Sequence, residues 1–308
     1  MVRRSAIALT LTLLLRGCAP SCAPVQPARF APVIVPPGPT AHWTEVVDVM
    51  RLAAGVLPVD QSADGARYAL AAARCLSHSG QPGNPHTLDP SLDCGPGVDL
   101  IAAQRGAAGS LIAFAPSPLM PRQMLERLAN APFHAMALFD PALLVVDYAD
   151  AYDPQSPGGR NAFTTAIWVH GARRAAQPPF VGTVMWPPRG WSVPAAMSAS
   201  DEWPSPLWQC GLTRSGPPIW MAHPVSGVPP VLGDLRLVGP DGQVVPLCTY
   251  MAAGMSTGDP EAVAVGASYM RRMGAVMLVP TMPLTAGDWR LSGTMDGAAF
   301  ERLISVTG

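Results

Sequence analysis

Residues 128–149, LANAPFHAMALFDPALLVVDYA, decide how the chain is read. Pro132 biases Ala131 away from helical backbone, so a helix carrying Met120, Met124 and Leu128 on one face is expected to stop near Asn130. His134 then stands just past a helix C-terminus, at the negative end of the helix dipole. The apolar run that follows, residues 142–148, reads as a buried strand, and residues 161–170, with Phe163, Ile167 and Trp168, read as another.

Upstream of this pivot the chain predicts two helices. Trp43, Val46, Val47, Met50 and Ala54 make an apolar helical face that begins at Thr40 as N-cap and ends at Gly55. A second helix over residues 62–76 turns Tyr68, Ala72 and Cys75 inward and leads directly to His78. Farther toward the N-terminus the pattern changes. Arg3 and Arg4 precede an apolar stretch, residues 5–15, that is too short to span a bilayer unaided, so residues 1–17 read as a signal peptide. Leu15-Arg16-Gly17-Cys18 resembles a bacterial lipobox apart from Arg16, which leaves two readings open: a lipid on Cys18, or plain secretion. Residues 18–40 are dominated by Pro, Ala and Val, as suits an extended tether.

The chain has 308 residues, 49% of them hydrophobic and 13% charged, with a formal net charge of −1. Two domains plus a leader are the natural expectation. The charge balance offers no broad field for nucleic acid. All basic residues are Arg, and 36 Pro with 29 Gly imply many turns and stiff loops. Six cysteines fall in three groups: Cys18 and Cys22, Cys75 and Cys94, Cys210 and Cys248. Pairing within the last two groups closes two loops, each stabilising by about 2–4 kcal/mol in an oxidising compartment. No C-x-x-C pair occurs, which argues against a thiolate zinc site.

Several short motifs resemble those of the bacterial CAP superfamily, the group of cysteine-rich secretory proteins, antigen 5 and plant pathogenesis-related proteins, also called SCP-like. Arg51, Ala54, Gly55, Pro58 and Val59 match the turn after the family's first helix, with Asp48 where an Asn is usual. HSGQPGNPHT, starting at His78, is similar to a family segment bearing one cavity histidine, and APFH, ending at His134, to the segment bearing another. The resemblance implies an α-β-α sandwich over residues 41–172 with His78 and His134 lining a shared ligand-binding cavity. The family's acidic partners are replaced by Gly80 and by Gly109-Ser110-Leu111, and its Trp before the APFH histidine by Leu128.

That loss shapes the chemistry. His78 and His134 could ligate a divalent metal, but a durable zinc site normally takes at least three protein ligands. His86 is a third imidazole nearby in sequence, at a spacing that fits no standard zinc motif. The sequence names no residue to orient His134 as a general acid or base, and Glu126 reads as solvent-facing. There is no G-x-S-x-G, H-E-x-x-H, Walker or dinucleotide-binding glycine motif. Asp147, Asp150 and Asp153 recur every third residue like a calcium loop, without its closing Glu or internal Gly. His42, His170 and His223 carry no chemical signal of their own.

Residues 173–180 read as a linker, and about seven short strands follow over residues 181–308, at 181–186, 218–222, 234–238, 243–250, 275–280, 288–293 and 300–306. Asp241-Gly242 and Asp296-Gly297 are hairpin cues. WPPRGWSVP and PLTAGDWRLSGTMDGAAF resemble the opening and closing of bacterial Ig-like domains, with Trp289 turned inward. Trp186, Trp191, Trp203 and Trp208 either form a sugar-stacking surface or cover a β core or a domain junction. The expected fold is therefore α+β, a CAP-like α-β-α sandwich followed by an all-β Ig-like sandwich. The expected function is a non-enzymatic, exported module, secreted or held at the cell envelope, that binds an envelope component or a small hydrophobic or glycan ligand. A divalent-metal-dependent hydrolase using His78 and His134 and an architectural envelope spacer are the alternatives.

Overall fold

The computed structural model describes residues 38, 40–80, 84–157, 159, 161–171, 182–224 and 226–308. The expected signal peptide, Cys18, Cys22, the 173–180 linker and nearly all of the 18–40 tether lie outside them.

Local sequence explains how the first elements start and stop. Helix α1 (Trp43–Ala53) is capped by His42, whose ring accepts from the Thr44 N–H, two residues later than the expected Thr40. Helix α2 (Ala63–Ser79) begins at Ser62, whose hydroxyl accepts from the Gly65 N–H, and closes on Gly80 in the left-handed conformation. Asp99 caps α3 (Leu100–Gly109), which runs straight into strand β1 (Ser110–Ala115). Helices α4 (Pro121–Ala129) and α5 (Pro132–Leu138) follow, then β2 (Asp147–Tyr152) and β3 (Phe163–Trp168). The three strands form an antiparallel sheet in the order β1-β3-β2.

This sheet is buried on both faces. Ile112, Phe114, Ala166, Trp168, Ala149 and Ala151 point toward Ala69, Ala72, Ala73 and Leu76 of α2 and toward α3. The alternate residues Leu111, Ile167 and Tyr148 join Val46, Val47 and Met50 of α1 with the apolar faces of α4 and α5. Helices thus cover a central sheet on either side. Asp147 binds the layers at one end, accepting from both the N–H and the hydroxyl of Ser62 at 2.7 and 2.9 Å.

The pivot stretch departs from expectation at two points. Pro132 does end α4, but it is also the first residue of α5, because a proline lacks only an N–H that a helix start leaves unused anyway. His134 therefore occupies the first turn of a helix instead of the space beyond one. The apolar run 142–146 is not part of a sheet strand. Asp140 folds it into a turn by accepting from the N–H groups of Ala142 and Leu143, and Asp60 holds it through backbone bonds from Val146 and to Leu144. Its apolar side chains fill the core without a ladder of their own, and the strand starts only at Asp147.

The second half supplies β4 (Val184–Trp186), β5 (Ser192–Pro194), a small ribbon of β6 (Met197–Ser198) and β7 (Arg214–Ser215), then β8 (Ile219–Ala222), β9 (Leu232–Val238), β10 (Val244–Val245) and β11 (Leu247–Met251). Helix α6 (Pro260–Met273) separates these from β12 (Ala275–Pro280), β13 (Gly287–Met295) and β14 (Ala298–Thr307). A five-stranded sheet, β10-β9-β13-β14-β5, faces a four-stranded one, β11-β12-β8-β4. Trp289, Leu291, Ile304, Ile219, Met221 and Leu278 fill the space between them. Asp296 and Gly297, both with positive φ, make the two-residue turn from β13 to β14. The chain is thus mixed α+β, with one element the all-β expectation lacked: α6, started by Asp259 and Pro260 and stopped by Gly274.

The outer face of the four-stranded sheet is buried as well. Trp186, Trp220, Met277 and Val279 share a single core with α1, α4, α5 and α6. Phe139, at the end of α5, stacks on Trp186 with ring centroids 4.9 Å apart and lies 6.4 Å from Trp220. Arg272 of α6 pairs with buried Asp140 at 3.0 Å. Arg51 is fully buried and donates to the carbonyls of Leu57, Leu138 and Asp140, pinning α1 to the chain leaving α5. Disulfides join Cys75 to Cys94 and Cys210 to Cys248, which is compatible with an extracellular, oxidising location. No helix among the described residues is long and apolar enough to cross a membrane.

Candidate functional site

The start of α5 shows why His134 is held where it is. A helix's first N–H groups need acceptors from outside the helix. Here the Glu202 carboxylate supplies one, with Oε1 accepting from the His134 N–H at 2.9 Å and contacting the ring Nδ1 at 2.8 Å. The Glu202 side chain is wholly buried, and its Oε2 has no hydrogen-bond partner among the described residues. A desolvated carboxylate is costly unless paired, so His134 and Glu202 hold each other in place. Glu202 arrives from the second half of the chain, on a connector fastened by a 2.8 Å hydrogen bond from the Tyr250 hydroxyl to the Pro206 carbonyl. Burial, and next the nearby Glu202 charge, push the Tyr250 phenol above its ordinary range, which keeps it a donor.

His86 meets His134 from the opposite side. Its backbone N–H donates to the Asn84 side chain at 2.9 Å, and its ring Nδ1 lies 3.0 Å from the Ala107 carbonyl. Because a carbonyl only accepts, Nδ1 carries the proton and Nε2 is left with its lone pair. Burial above all, then the charge of His134, lower the His86 pKa to about 4; the Ala107 carbonyl opposes them, and His170 adds a smaller lowering. His86 is thus neutral at neutral pH. The two rings stand 6.2 Å apart, centroid to centroid, tilted by 37°.

Both imidazoles line a cleft of about 560 Å³ between the first half and α6. Leu111, Phe133 and Val169 form its floor, Ala264, Val265 and Tyr269 of α6 one wall, and Trp203 with Pro204 an end. Ser110 also lines it, with a buried hydroxyl that has no hydrogen-bond partner among the described residues. The lining combines apolar surface with a few fixed polar groups, the usual make-up of a small-molecule site.

The two histidines nominated from sequence are not brought together. His78 turns to Asp153, Nδ1 to Oδ2 at 2.7 Å, with Asp93 3.9 Å from Nε2, and lines a different cleft of about 360 Å³ beside Cys94 and Arg74. His86 takes the place beside His134 that His78 was expected to fill. A metal set of His78 and His134 therefore does not fit, and among the described residues no three or more His, Cys, Asp or Glu side chains are grouped to hold a metal ion. The aspartates spaced by three do not converge either. Asp147 binds Ser62, Asp150 accepts from the Tyr148 hydroxyl, and Asp153 takes His78. Glu126 forms a surface pair with Arg122 at 2.7 Å. Of the connector tryptophans, Trp186 and Trp191 are buried at the junction, while Trp203 keeps part of its surface in the cleft.

Glu202 is a residue of the candidate site that sequence reasoning did not nominate. It sits 68 positions from His134, beyond any local spacing rule. The one available signal was its setting, the second of two adjacent acids, Asp201 and Glu202, leading into a Trp-Pro-Ser-Pro run. Comparisons with protein-family models, with curated proteins and with solved structures find no match to this chain.

Proposed function

We propose that the chain is an exported, CAP-like ligand-binding protein of the cell envelope, and that the cleft between α6 and the first half is its binding site. One observation carries this reading: a neutral, acceptor-ready His86 faces a His134 anchored by a buried carboxylate, inside an apolar cleft. Such a pair orients a ligand by hydrogen bonds while the surrounding surface supplies affinity. Binding is favoured over covalent catalysis because the buried Ser110 hydroxyl is hydrogen-bonded to neither imidazole, so no nucleophile and base are paired there. The two disulfides support export. A lipid on Cys18 would hold the protein at the membrane, and mass spectrometry of the mature N-terminus tests that part.

The site itself is tested with Ala264→Trp. Ala264 is exposed on the cleft wall, so an indole there fills the cleft without disturbing the core. Envelope material separated into lipid, glycan and cation pools should raise the melting temperature of the unaltered protein and not that of A264W. Equal responses from both proteins, or none from either, would refute the assignment.

A further inference from the structure

Resting on that reading, we infer that the ligand is an extended peptide, which adds a strand to the free edge of β1 along the cleft. β1 is an outer strand of the three-stranded sheet and pairs only with β3. In an antiparallel pair, alternate residues turn both backbone groups toward the partner and the others turn theirs away. The Gly109 carbonyl accepts from the Val169 N–H, so the positions in step with it, Leu111 and Ala113, face β3. The Phe114 carbonyl accepts from Arg127 of α4 at 2.8 Å, which places the other set, Ser110 and Ile112, toward the free edge. Among the described residues nothing hydrogen-bonds to the backbone of Ser110 or Ile112 on that side.

That edge opens on a groove longer than the cleft described above. Gly109, Ser110 and Leu111 line that cleft, Ile112, Ala113 and Phe114 line a second one of about 490 Å³, and His134 lines both. The far wall of the second cleft, Pro194, Ala196, Met197 and Pro217, comes from the second half, none of whose strands pairs with β1. Open sheet edges are commonly guarded by charge or proline. β2, at the other edge of this sheet, carries exposed Asp150, whereas β1 reads Ser-Leu-Ile-Ala-Phe-Ala. The complement of backbone donors and acceptors set at strand spacing is a second extended backbone. A small apolar ligand would fill one cleft and leave those groups unpaired. The charges fit a chain that spans both clefts. Glu261 lines the cleft at the start of β1 and Arg127 the one at its end, and among the described residues neither is ion-paired. Asp201, the other charge beside Arg127, is held by the Ser198 N–H at 2.6 Å. The six residues of β1 set the length of the match, about 20 Å, with a basic side chain of the peptide at Glu261 and an acidic one at Arg127.

The test adds a peptide arm to the fractions used above. The full chain, labelled with ¹⁵N, is titrated with capped Lys-Val-Thr-Val-Thr-Glu, Lys-Ala-Val-Ala-Val-Glu and Lys-Leu-Ser-Leu-Ser-Glu, and with each sequence reversed. At least one should bind, move the Ile112 amide proton downfield and slow its exchange with solvent. Methylating the backbone nitrogens of one alternate set in that peptide should weaken binding about 30-fold, the worth of two hydrogen bonds, while methylating the other set should leave it unchanged. Glu261→Lys, at an exposed position, should weaken it about five-fold. The Ile112 signal of the unaltered protein decides the matter even if E261K folds poorly. A peptide that binds without moving Ile112, or that tolerates methylation of both sets, would overturn the inference. A dimer whose Ile112 amide is protected before any peptide is added would give the edge to a second copy and overturn it too. Binding of no peptide, while a lipid or glycan pool still protects the unaltered protein over A264W, would overturn the inference and leave the binding cleft standing. Silence from peptides and pools alike would remove both.

Discussion

Acidification should destabilise the protein through His86 by an amount that can be isolated. An unfolded chain protonates this imidazole near its ordinary value of 6.5, whereas the folded chain withholds the proton until about pH 4. Between those values the unfolded state binds more protons than the native one, so stability rises with pH across the window. The contribution is fully present above about pH 6.5, declines as pH falls, and is gone below about 4. A shift of that size corresponds to about 3 kcal/mol. His86 keeps some exposure to the cleft, and solvent screening reduces the expected figure to about 2 kcal/mol. Asp147, whose carboxyl burial pushes above its ordinary range, also changes protonation on acidification, so the measurement must be differential. His86→Gln keeps an amide able to donate to the Ala107 carbonyl and cannot titrate. Urea unfolding followed by tryptophan fluorescence at half-unit steps from pH 7 to pH 4 should show the unaltered protein losing about 2 kcal/mol more than H86Q. Parallel stability curves, or an NMR titration placing His86 near 6.5, would refute the account of the cleft as a desolvated site holding a neutral acceptor.

Arg51→Met removes the donors that satisfy the buried carbonyls of Leu57, Leu138 and Asp140, and should cost at least about 3 kcal/mol in urea unfolding despite the similar volume. Gly266→Val places a side chain against Phe133 and Met255 where α6 crosses α5, so the melting temperature should fall by the equivalent of about 1–3 kcal/mol, with local shifts at the cleft in NMR spectra. A fragment of residues 41–172 lacks Trp186 and Trp220 as cover for Phe139 and lacks Glu202 for His134. It should show no cooperative thermal transition, and a cooperative one by calorimetry would count against the shared core.

Elements with self-contained signals were legible in the sequence. The α1 face, the Ser62 start of α2, the Asp296-Gly297 turn and the 275–280 strand all depend on neighbours within a few residues. Failures arose where distant chain segments decide the outcome. Residues 142–146 are apolar enough for a strand, yet the sheet edge is already set by β2, and Asp60 takes up their backbone groups instead. Helix α6 carried its signals openly in Asp259, Pro260 and Gly274, and was obscured because the surrounding runs repeat at strand spacing. His134 was nominated through its local Pro-Phe-His context, although its place in the first turn of a helix was not read. The choice between His78 and His86 was not legible, since it turns on Asp153 capturing one ring and the Ala107 carbonyl the other, 75 and 21 residues away.

The carboxylate that holds His134 comes from a distant part of the chain. Within residues 41–172 Asp153 orients His78, but the Glu202 carboxylate comes from the chain beyond residue 182, which also supplies α6 and Trp203 to the lining of the cleft. A carboxylate wholly removed from water is tolerable only where its partner is fixed, and His134 is fixed twice, by its ring and by its backbone N–H. Folding of the second half against α5 and formation of the dyad are therefore one event. Any change that loosens the junction, at Phe139, Asp140 or Gly266, must also release His134 from its donor geometry. On the proposed reading, binding at the cleft and stability of the junction are two readouts of the same contacts.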